Sequence, residues 1–407
     1  MITDQVSSSP TSGARIERES EPERERESAS EREPEREFAS ERESERVDIS
    51  VLIPVLNEER HIREAVVAMQ AQQLDGVFEL LFADGHSTDR TREILLELAQ
   101  EDPRIRVLSN PIGHTASGLN ICLSAARGEF VARMDAHTYY PPRYLAAGIE
   151  RLRQGDTVWV SGPQVPWPTG PISRAVSLAL ASWLGRGGSR KWSEDDADGG
   201  EEHDLDTGVF GGVWRREVVL DIGGWDERWP INQDSEMAAR FLRRGERLVC
   251  IPAMAARYTP RDSLRGLARQ YFRYGQYRAR TFRHHPHSMR PSHLIAPALA
   301  GALLATVLAP RFLRRPARFA IAAYLAAVGA TAATTAMRRE QRTEGALLTA
   351  ALPTMHFAWG FGTLVGMIRF GLPTAALAAL VGRKPIAADA SRDAEPVYAP
   401  SLRREAA

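Results

Sequence analysis

Glu129-Phe-Val-Ala-Arg-Met-Asp-Ala-His137 runs from an apolar stretch into a carboxylate and an imidazole two residues apart. The apolar part has the length and composition of a short buried strand. Along an extended segment, residues i and i+2 point the same way. Asp135 and His137 are therefore expected to face one point beyond a strand end. A carboxylate with an imidazole suits Mn²⁺, and Mg²⁺ less well, because Mg²⁺ prefers oxygen ligands throughout. Taken alone, so short a pattern is more often a turn with a capping Asp.

The surrounding chain gives the pattern its context. Asp48-Ile-Ser-Val-Leu-Ile-Pro54, Phe78-Glu-Leu-Leu-Phe-Ala83 and Ile105-Arg-Val-Leu108 read as strands, and Glu59–Gln72, Arg90–Glu101 and Thr115–Ala126 as helices. This alternation specifies an α/β fold with a doubly wound, mostly parallel sheet. Ligands of such sheets bind beyond the carboxyl ends of the strands. Asn57, Glu58, Asp84, Asp89, Asp135 and His137 all fall at such ends. Asp and Asn also abound in loops for turn reasons alone.

After Pro141 the regularity weakens. Pro171–Leu184 is amphipathic, and Lys191–Asp206 is acidic and reads as a mobile loop. Gly211-Gly-Val-Trp-Arg-Arg216 and Ile222-Gly-Gly-Trp-Asp226 contain glycines that permit close backbone approach to a ligand. Trp225 and Trp229 are candidate stacking platforms for a sugar ring, although core packing is the commoner use of Trp. Asn232-Gln-Asp-Ser-Glu236 heads a helix, where Asp234 and Glu236 fit either as acids favoured by the helix dipole or as a base aimed into the site.

From Pro260 the charge changes character. Arg261, Arg265, Arg269 and Arg273 form one stripe along a helix interleaved with aromatic residues, the pattern of a membrane-surface element. The runs 293–309, 319–337 and 346–368 are apolar and about long enough to cross a bilayer. Basic loops at 311–318 and 338–342 cannot both lie in the cytosol if all three runs cross. The expected organisation is a Glu/Arg/Ser-rich disordered tail (1–46), an α/β domain with a basic interfacial helix at its end (47–285), a membrane region of about three helices (290–382) and a disordered tail (383–407).

Composition supports this division. The formal net charge is zero, but residues 1–46 hold 14 acids and 8 arginines, which leaves 44 bases against 38 acids in the rest. That excess points to anionic ligands or headgroups rather than nucleic acid, for which no recognition motif is present. Two cysteines, Cys122 and Cys250, offer no disulfide framework and fit a reducing compartment. The polar N-terminus lacks a signal-peptide core, so the α/β domain is expected in the cytosol and the chain in the cell membrane as a multi-pass protein.

Five motifs in order resemble family 2 glycosyltransferases of the GT-A fold, in their membrane-attached, exopolysaccharide-building branch. Ile53-Pro-Val-Leu-Asn-Glu58 resembles the opening strand and its loop. Ala83-Asp-Gly-His-Ser-Thr-Asp89 resembles the nucleotide motif, with Gly85 in place of its second Asp. Arg133-Met-Asp-Ala-His137 stands at the Asp-x-Asp position, with His137 in place of the second carboxylate. Asn232-Gln-Asp234 stands where Glu-Asp is usual, and Gln270-Tyr-Phe-Arg-Tyr274 resembles Gln-x-x-Arg-Trp.

The resemblance implies an inverting transfer from a nucleotide sugar, UDP-linked by expectation, to a lipid-linked or glycan acceptor. Pro54, Asn57, Glu58, Asp84 and Asp135 would bind the donor, and Asp135 with His137 a divalent metal, Mn²⁺ or Mg²⁺. Asp234 would be the general base. Gly212, Trp225, Glu236, Gln270 and Arg273 would lie near the acceptor or the leaving diphosphate. The alternative is a non-catalytic nucleotide-sugar-binding membrane partner of a polysaccharide assembly complex, which the His137 and Gln233 departures favour. A sugar-phosphate nucleotidyltransferase ranks below both, because Pro54-Val-Leu-Asn-Glu58 lacks the Gly and Lys of a phosphate loop.

Overall fold

The structure is a computed structural model that describes residues 47–186, 200–337, 342–382, 397 and 399–403. The N-terminal tail, most of the acidic loop and the basic stretch at 338–341 lie outside the described residues.

The apolar runs form the strands expected of them. β1 (Ile49–Val55), β2 (Phe78–Asp84), β3 (Ile105–Ser109) and β4 (Phe130–Arg133) alternate with α1 (Ile62–Gln70), α2 (Thr91–Glu101) and α3 (Thr115–Ala125). Then come β5 (Thr138–Tyr139), α4 (Tyr144–Leu152), β6 (Trp159–Ser161) and β7 (Gln164–Pro166). The amphipathic stretch after Pro171 becomes α5 (Pro171–Ala181) and α6 (Trp183–Arg186). β8 (His203–Asp204), β9 (Gly212–Arg215), α7 (Arg216–Asp221), α8 (Gln233–Arg243), β10 (Leu248–Cys250) and β11 (Ala256–Tyr258) complete the α/β layer.

The main sheet has the order β3-β2-β1-β4-β9-β6-β10-β8. Its first four strands are parallel, so their carboxyl ends share one edge. β9 enters antiparallel between β4 and β6, with Gly212 opposite Arg133. The stretch expected to approach a ligand is thus a sheet strand, and its entry brings the preceding loop to the end of β4. A small sheet, β5-β11-β7, stands beside it. One apolar core packs beneath α1, α2 and α4 on one face, and a second beneath α3 and α8 on the other.

Four helices follow: α9 (Leu264–His284), α10 (Ile295–Leu308), α11 (Arg311–Ala336) and α12 (Arg342–Phe370). Arg261, Arg265, Arg269 and Arg273 are all exposed, as the stripe predicts. Among the described residues two helical stretches, Pro291–Leu308 and Arg311–Ala336, are long and apolar enough to cross a membrane. The third expected span, 346–368, has another partner. α12 runs parallel to α9, so closely that a Cβ on Gly275 would meet the Trp359 carbonyl and one on Gly362 the Phe272 carbonyl. Part of its apolar face meets protein: Leu348, Ala351, Leu352 and Met355 are buried with α5, α9 and α11, while Val365 and Ile368 are exposed.

α13 (Thr374–Leu380) packs at the far end of α9. The last described residues differ from the disordered tail expected there. α14 (Pro400–Arg403) returns to the α/β layer. Leu402 packs against the core beneath α3, Val397 lies against Gly223, and the Ser401 N–H donates to Glu227 Oε1 at 3.4 Å.

Candidate active site

Loops meet beyond the carboxyl ends of β1, β2 and β4. Asn57 adopts a left-handed backbone (φ 57°), which Asn tolerates better than most residues. Its backbone N–H donates to Ser87 Oγ at 2.9 Å, and its Oδ1 accepts from the Thr88 N–H at 2.8 Å. The Glu58 N–H donates to Thr91 Oγ1 at 2.7 Å. Asn57 thus ties the β1 loop to the β2 loop. Asp84 ends β2 at 1% exposure and accepts from the Ser87 N–H at 3.3 Å, with Arg92 Nη1 3.8 Å away. Pro54 lies half-buried within β1 itself. Asp89 is spent on the turn into α2, accepting from the Thr91 N–H, Thr91 Oγ1 and the Glu59 N–H. For Asp89 the turn reading is the right one.

The centre is Arg133, a residue to which the sequence reading gave no role. Its Nε and Nη2 donate to Asp135 Oδ1 and Oδ2 at 2.9 and 3.0 Å, and its Nη1 pairs with Asp234 Oδ1. One guanidinium, 5% exposed, therefore joins the two carboxylates expected to serve donor and acceptor. Burial alone would depress its basicity, but the charges of Asp135 and Asp234 outweigh that and raise it above the ordinary arginine value. The signal for it was present. Arg133 precedes Asp135 by two residues, the parity that placed Asp135 beside His137.

Asp135 is further fixed by its own N–H, which donates to Tyr140 Oη at 2.7 Å. His137 Nδ1 lies 3.2 Å from Glu58 Oε1. That hydrogen bond, and Asp135 nearby, raise the imidazole above its ordinary value against the opposing effect of burial.

Asp234 reaches the site because β9 draws the 206–211 loop to the end of β4. Gly208 lies so close that a Cβ there would meet the Asp234 carbonyl at 2.2 Å. Asn232, also left-handed (φ 64°), precedes α8 and donates from Nδ2 to the Tyr274 carbonyl at 3.0 Å. Gln270 Nε2 donates to Tyr274 Oη at 2.8 Å. The α9 motif is therefore tied to the start of the helix that carries Asp234. Arg273 itself is exposed and makes no hydrogen bond or ion pair among the described residues.

Four residues expected near the acceptor lie elsewhere. Trp225 is 1% exposed and packs edge-on against Trp214, so its ring is unavailable to a sugar. Trp229 is buried as well, with Arg280 over its ring at 4.2 Å. Gly212 makes room for Trp159, whose Nε1 would lie 2.2 Å from an added Cβ. Glu236 is buried and held by Arg240 through two contacts of 2.9 Å and by His285 Nε2 at 3.2 Å. Burial alone would raise its carboxyl, but Arg240 and His285 outweigh that and hold it at about 2. It is a structural anchor for α8.

Glu236→Gln would leave Arg240 buried without its charge partner and is expected to destabilise by ~3 kcal/mol. A lower Tm, with activity retained at low temperature, is the expected result; an unchanged Tm with lost activity would put Glu236 in the reaction. Because its folded pKa is depressed, its contribution is full above the unfolded value of about 4.3 and is lost as pH falls toward 2.

No cluster of three or more metal-ligating side chains occurs among the described residues. The donor set nonetheless fits an open divalent site. Asp135 and Asp234 bond Arg133, and Glu58 bonds His137, so the side chains offered to an ion are the two at the end of β4, Asp135 and His137. Asp135 keeps lone pairs beyond the two used by Arg133, and His137 keeps Nε2. Ions held by one or two side chains take the rest of their shell from substrate phosphates and water.

A profile described as glycosyl transferase family 2 matches residues 50–205, a span that includes the Asn57, Asp84 and Asp135 loops. The succinoglycan biosynthesis protein ExoA of Rhizobium meliloti (strain 1021) is 34% identical over 266 residues, covering 63% of this chain and 78% of that protein. The dolichyl N-acetyl-alpha-D-glucosaminyl phosphate 3-beta-D-2,3-diacetamido-2,3-dideoxy-beta-D-glucuronosyltransferase of Methanococcus voltae is 24% identical over 237 residues, covering 56% and 71%. Among solved structures, the mannosyltransferase PcManGT of Pyrobaculum calidifontis in complex with GDP-Man and Mn2+ aligns with a TM-score of 0.46 at 22% identity, covering 76% of this chain and 87% of that one.

Proposed function

The chain belongs to glycosyl transferase family 2, and on that premise we propose an inverting transfer of a sugar from a UDP-linked donor to a lipid-linked glycan at the membrane surface, in exopolysaccharide or envelope-glycan synthesis. The observation that carries this reading is the Arg133 bridge between Asp135 and Asp234. It holds together the carboxylate proposed for the donor side and the one proposed for the acceptor side.

In this reading Asp234 takes the proton of the acceptor hydroxyl as that oxygen attacks the anomeric carbon. The new C–O bond forms on the face opposite the nucleoside diphosphate, which leaves with the electrons of the old one. Arg133 orients both carboxylates through the step. Asp84 and the Pro54–Glu58 loop hold the nucleotide. Asp135 and His137 would hold a divalent ion, which would supply charge neutralisation at the leaving diphosphate. With one base and no covalent nucleophile, the anomeric configuration of the product should be inverted. Proton NMR of the first-formed linkage tests this, and retention would refute the reading.

The apolar helices and the exposed arginine stripe on α9 support attachment to the membrane. Because Val397 and Leu402 pack on the α/β layer, the part of the chain that carries them belongs on the same side of the membrane as that layer. The number of crossings is then even, two or none. A C-terminal tag should be cleaved by protease from the same side of sealed vesicles as the catalytic domain; cleavage only from the opposite side would exclude this arrangement.

A further inference from the structure

One charged cluster lies outside the machinery described so far. Arg278 sits on α9 one helical turn beyond Tyr274, whose carbonyl is tied to Asn232 at the Asp234 end of α8. One turn is about 5–6 Å. The Arg278 guanidinium is half-buried against the Phe282 ring, 5.9 Å from its centroid, and has no carboxylate partner among the described residues. Arg290, in the link between α9 and α10, pairs with Asp206. Asp206 precedes by two residues the Gly208 that touches Asp234, and Thr207 Oγ1 lies 3.4 Å from Ser235 Oγ. Arg290 is thus anchored to the loop that touches Asp234, and Arg278 lies one turn from the residue tied to the start of α8.

The cluster is under-compensated. Burial, and then the charge of Arg290, push Arg278 down to about 10, with Asp206 opposing only in part. Arg280, two residues on, is used quite differently: it donates to the Arg228 carbonyl and covers Trp229. What lies next to Arg290 matters equally. Immediately after it begins the apolar stretch Pro291–Leu308, with Ile295, Leu303, Leu304, Val307 and Leu308 exposed. A molecule with a phosphate at one end and a hydrocarbon chain behind it satisfies both features at once.

We propose that Arg278 and Arg290 form a seat for the phosphate oxyanions of a lipid-borne molecule, its hydrocarbon chain lying along α10. Guanidinium groups suit this role because their planar donors meet phosphate oxygens in pairs. The inference rests on the transferase reading for its purpose, which is to hold the acceptor's anionic link while the hydroxyl reaches Asp234. A prenyl diphosphate and a bilayer phospholipid headgroup offer the same chemistry, and the experiment separates them.

The test uses the full chain in a phosphate-free maltoside detergent, with geranylgeranyl diphosphate, UDP and phosphatidylglycerol nanodiscs as probes. Arg278→Gln and Arg290→Gln should each weaken geranylgeranyl diphosphate binding at least tenfold while leaving UDP affinity within about twofold. Loss confined to the nanodiscs would support the seat and assign it to headgroups. Equal loss of UDP binding, or no loss for any probe, would overturn it. Asp206→Asn removes the competing carboxylate and should tighten prenyl diphosphate binding threefold or more, a gain that misfolding cannot produce. Weakened binding in that variant would also count against the seat. If the unaltered chain fails to bind UDP at all, the transferase reading fails instead, independently of these variants.

Discussion

Asp234→Asn is expected to lower sugar transfer by about 10²–10⁴-fold, the range that removal of a general base produces. The amide keeps the size of the carboxylate but cannot take the acceptor proton. Donor affinity should stay within a few fold, because the loops proposed to bind the nucleotide are held by the Asn57, Ser87, Thr88 and Thr91 bonds of the β1 and β2 loops. The split between turnover and donor affinity is the signature to measure. Unchanged turnover would remove Asp234 as the base, and Glu236 offers no replacement, since Arg240 and His285 occupy it.

Arg133→Gln is expected to have the second-largest effect, through both stability and turnover. Its removal leaves Asp135 and Asp234, at 14% and 18% side-chain exposure, without the cation that joins them. Breaking a buried ion pair from one side typically costs about 3–5 kcal/mol. Transfer should fall at least 10²-fold at temperatures where the variant is still folded, because both carboxylates lose their orientation. Arg133→Lys should rescue folding more than turnover, since a single ammonium cannot reproduce two parallel bonds to Asp135 and a third to Asp234. If Lys restored turnover fully, a point charge would suffice and the bridging geometry would be irrelevant.

Local pattern was enough to read the parallel half of the sheet. β1 and β2 are apolar runs bounded by polar loops, and strands of that kind have few alternatives. Asn57, Glu58, Asp84, Asp135 and His137 were legible for the same reason, because a strand end is fixed by its strand. The antiparallel entry of β9 was not legible. Gly212-Val-Trp-Arg215 is four residues long and carries a glycine, and only its pairing with Arg133 and Trp159 makes it a strand.

Burial of single residues was equally hidden. Trp225 reads the same whether it faces sugar or Trp214. Glu236 carried a warning that pattern reading can use: Arg240 stands four residues on, the spacing of a helical ion pair. His285, the other partner, comes from 49 residues away and gave none. The packing of the apolar run 346–368 was hidden because hydrophobicity does not distinguish lipid from a neighbouring helix. Its glycines at 360, 362 and 366 were the clue, since close helix packing needs small residues.

In the proposed reaction one site binds a nucleotide sugar and uses Asp234 to transfer it. Donor turnover in detergent or membranes tests it most directly, across a panel of nucleotide sugars, with and without Mn²⁺, beside the Asp234→Asn variant. Metal-dependent release of nucleoside diphosphate from one donor, abolished in the variant while donor binding persists, is the predicted result. Release that is the same in the variant, or the absence of both release and metal-dependent donor binding across the panel, would contradict the account and favour a non-catalytic member of a polysaccharide assembly complex.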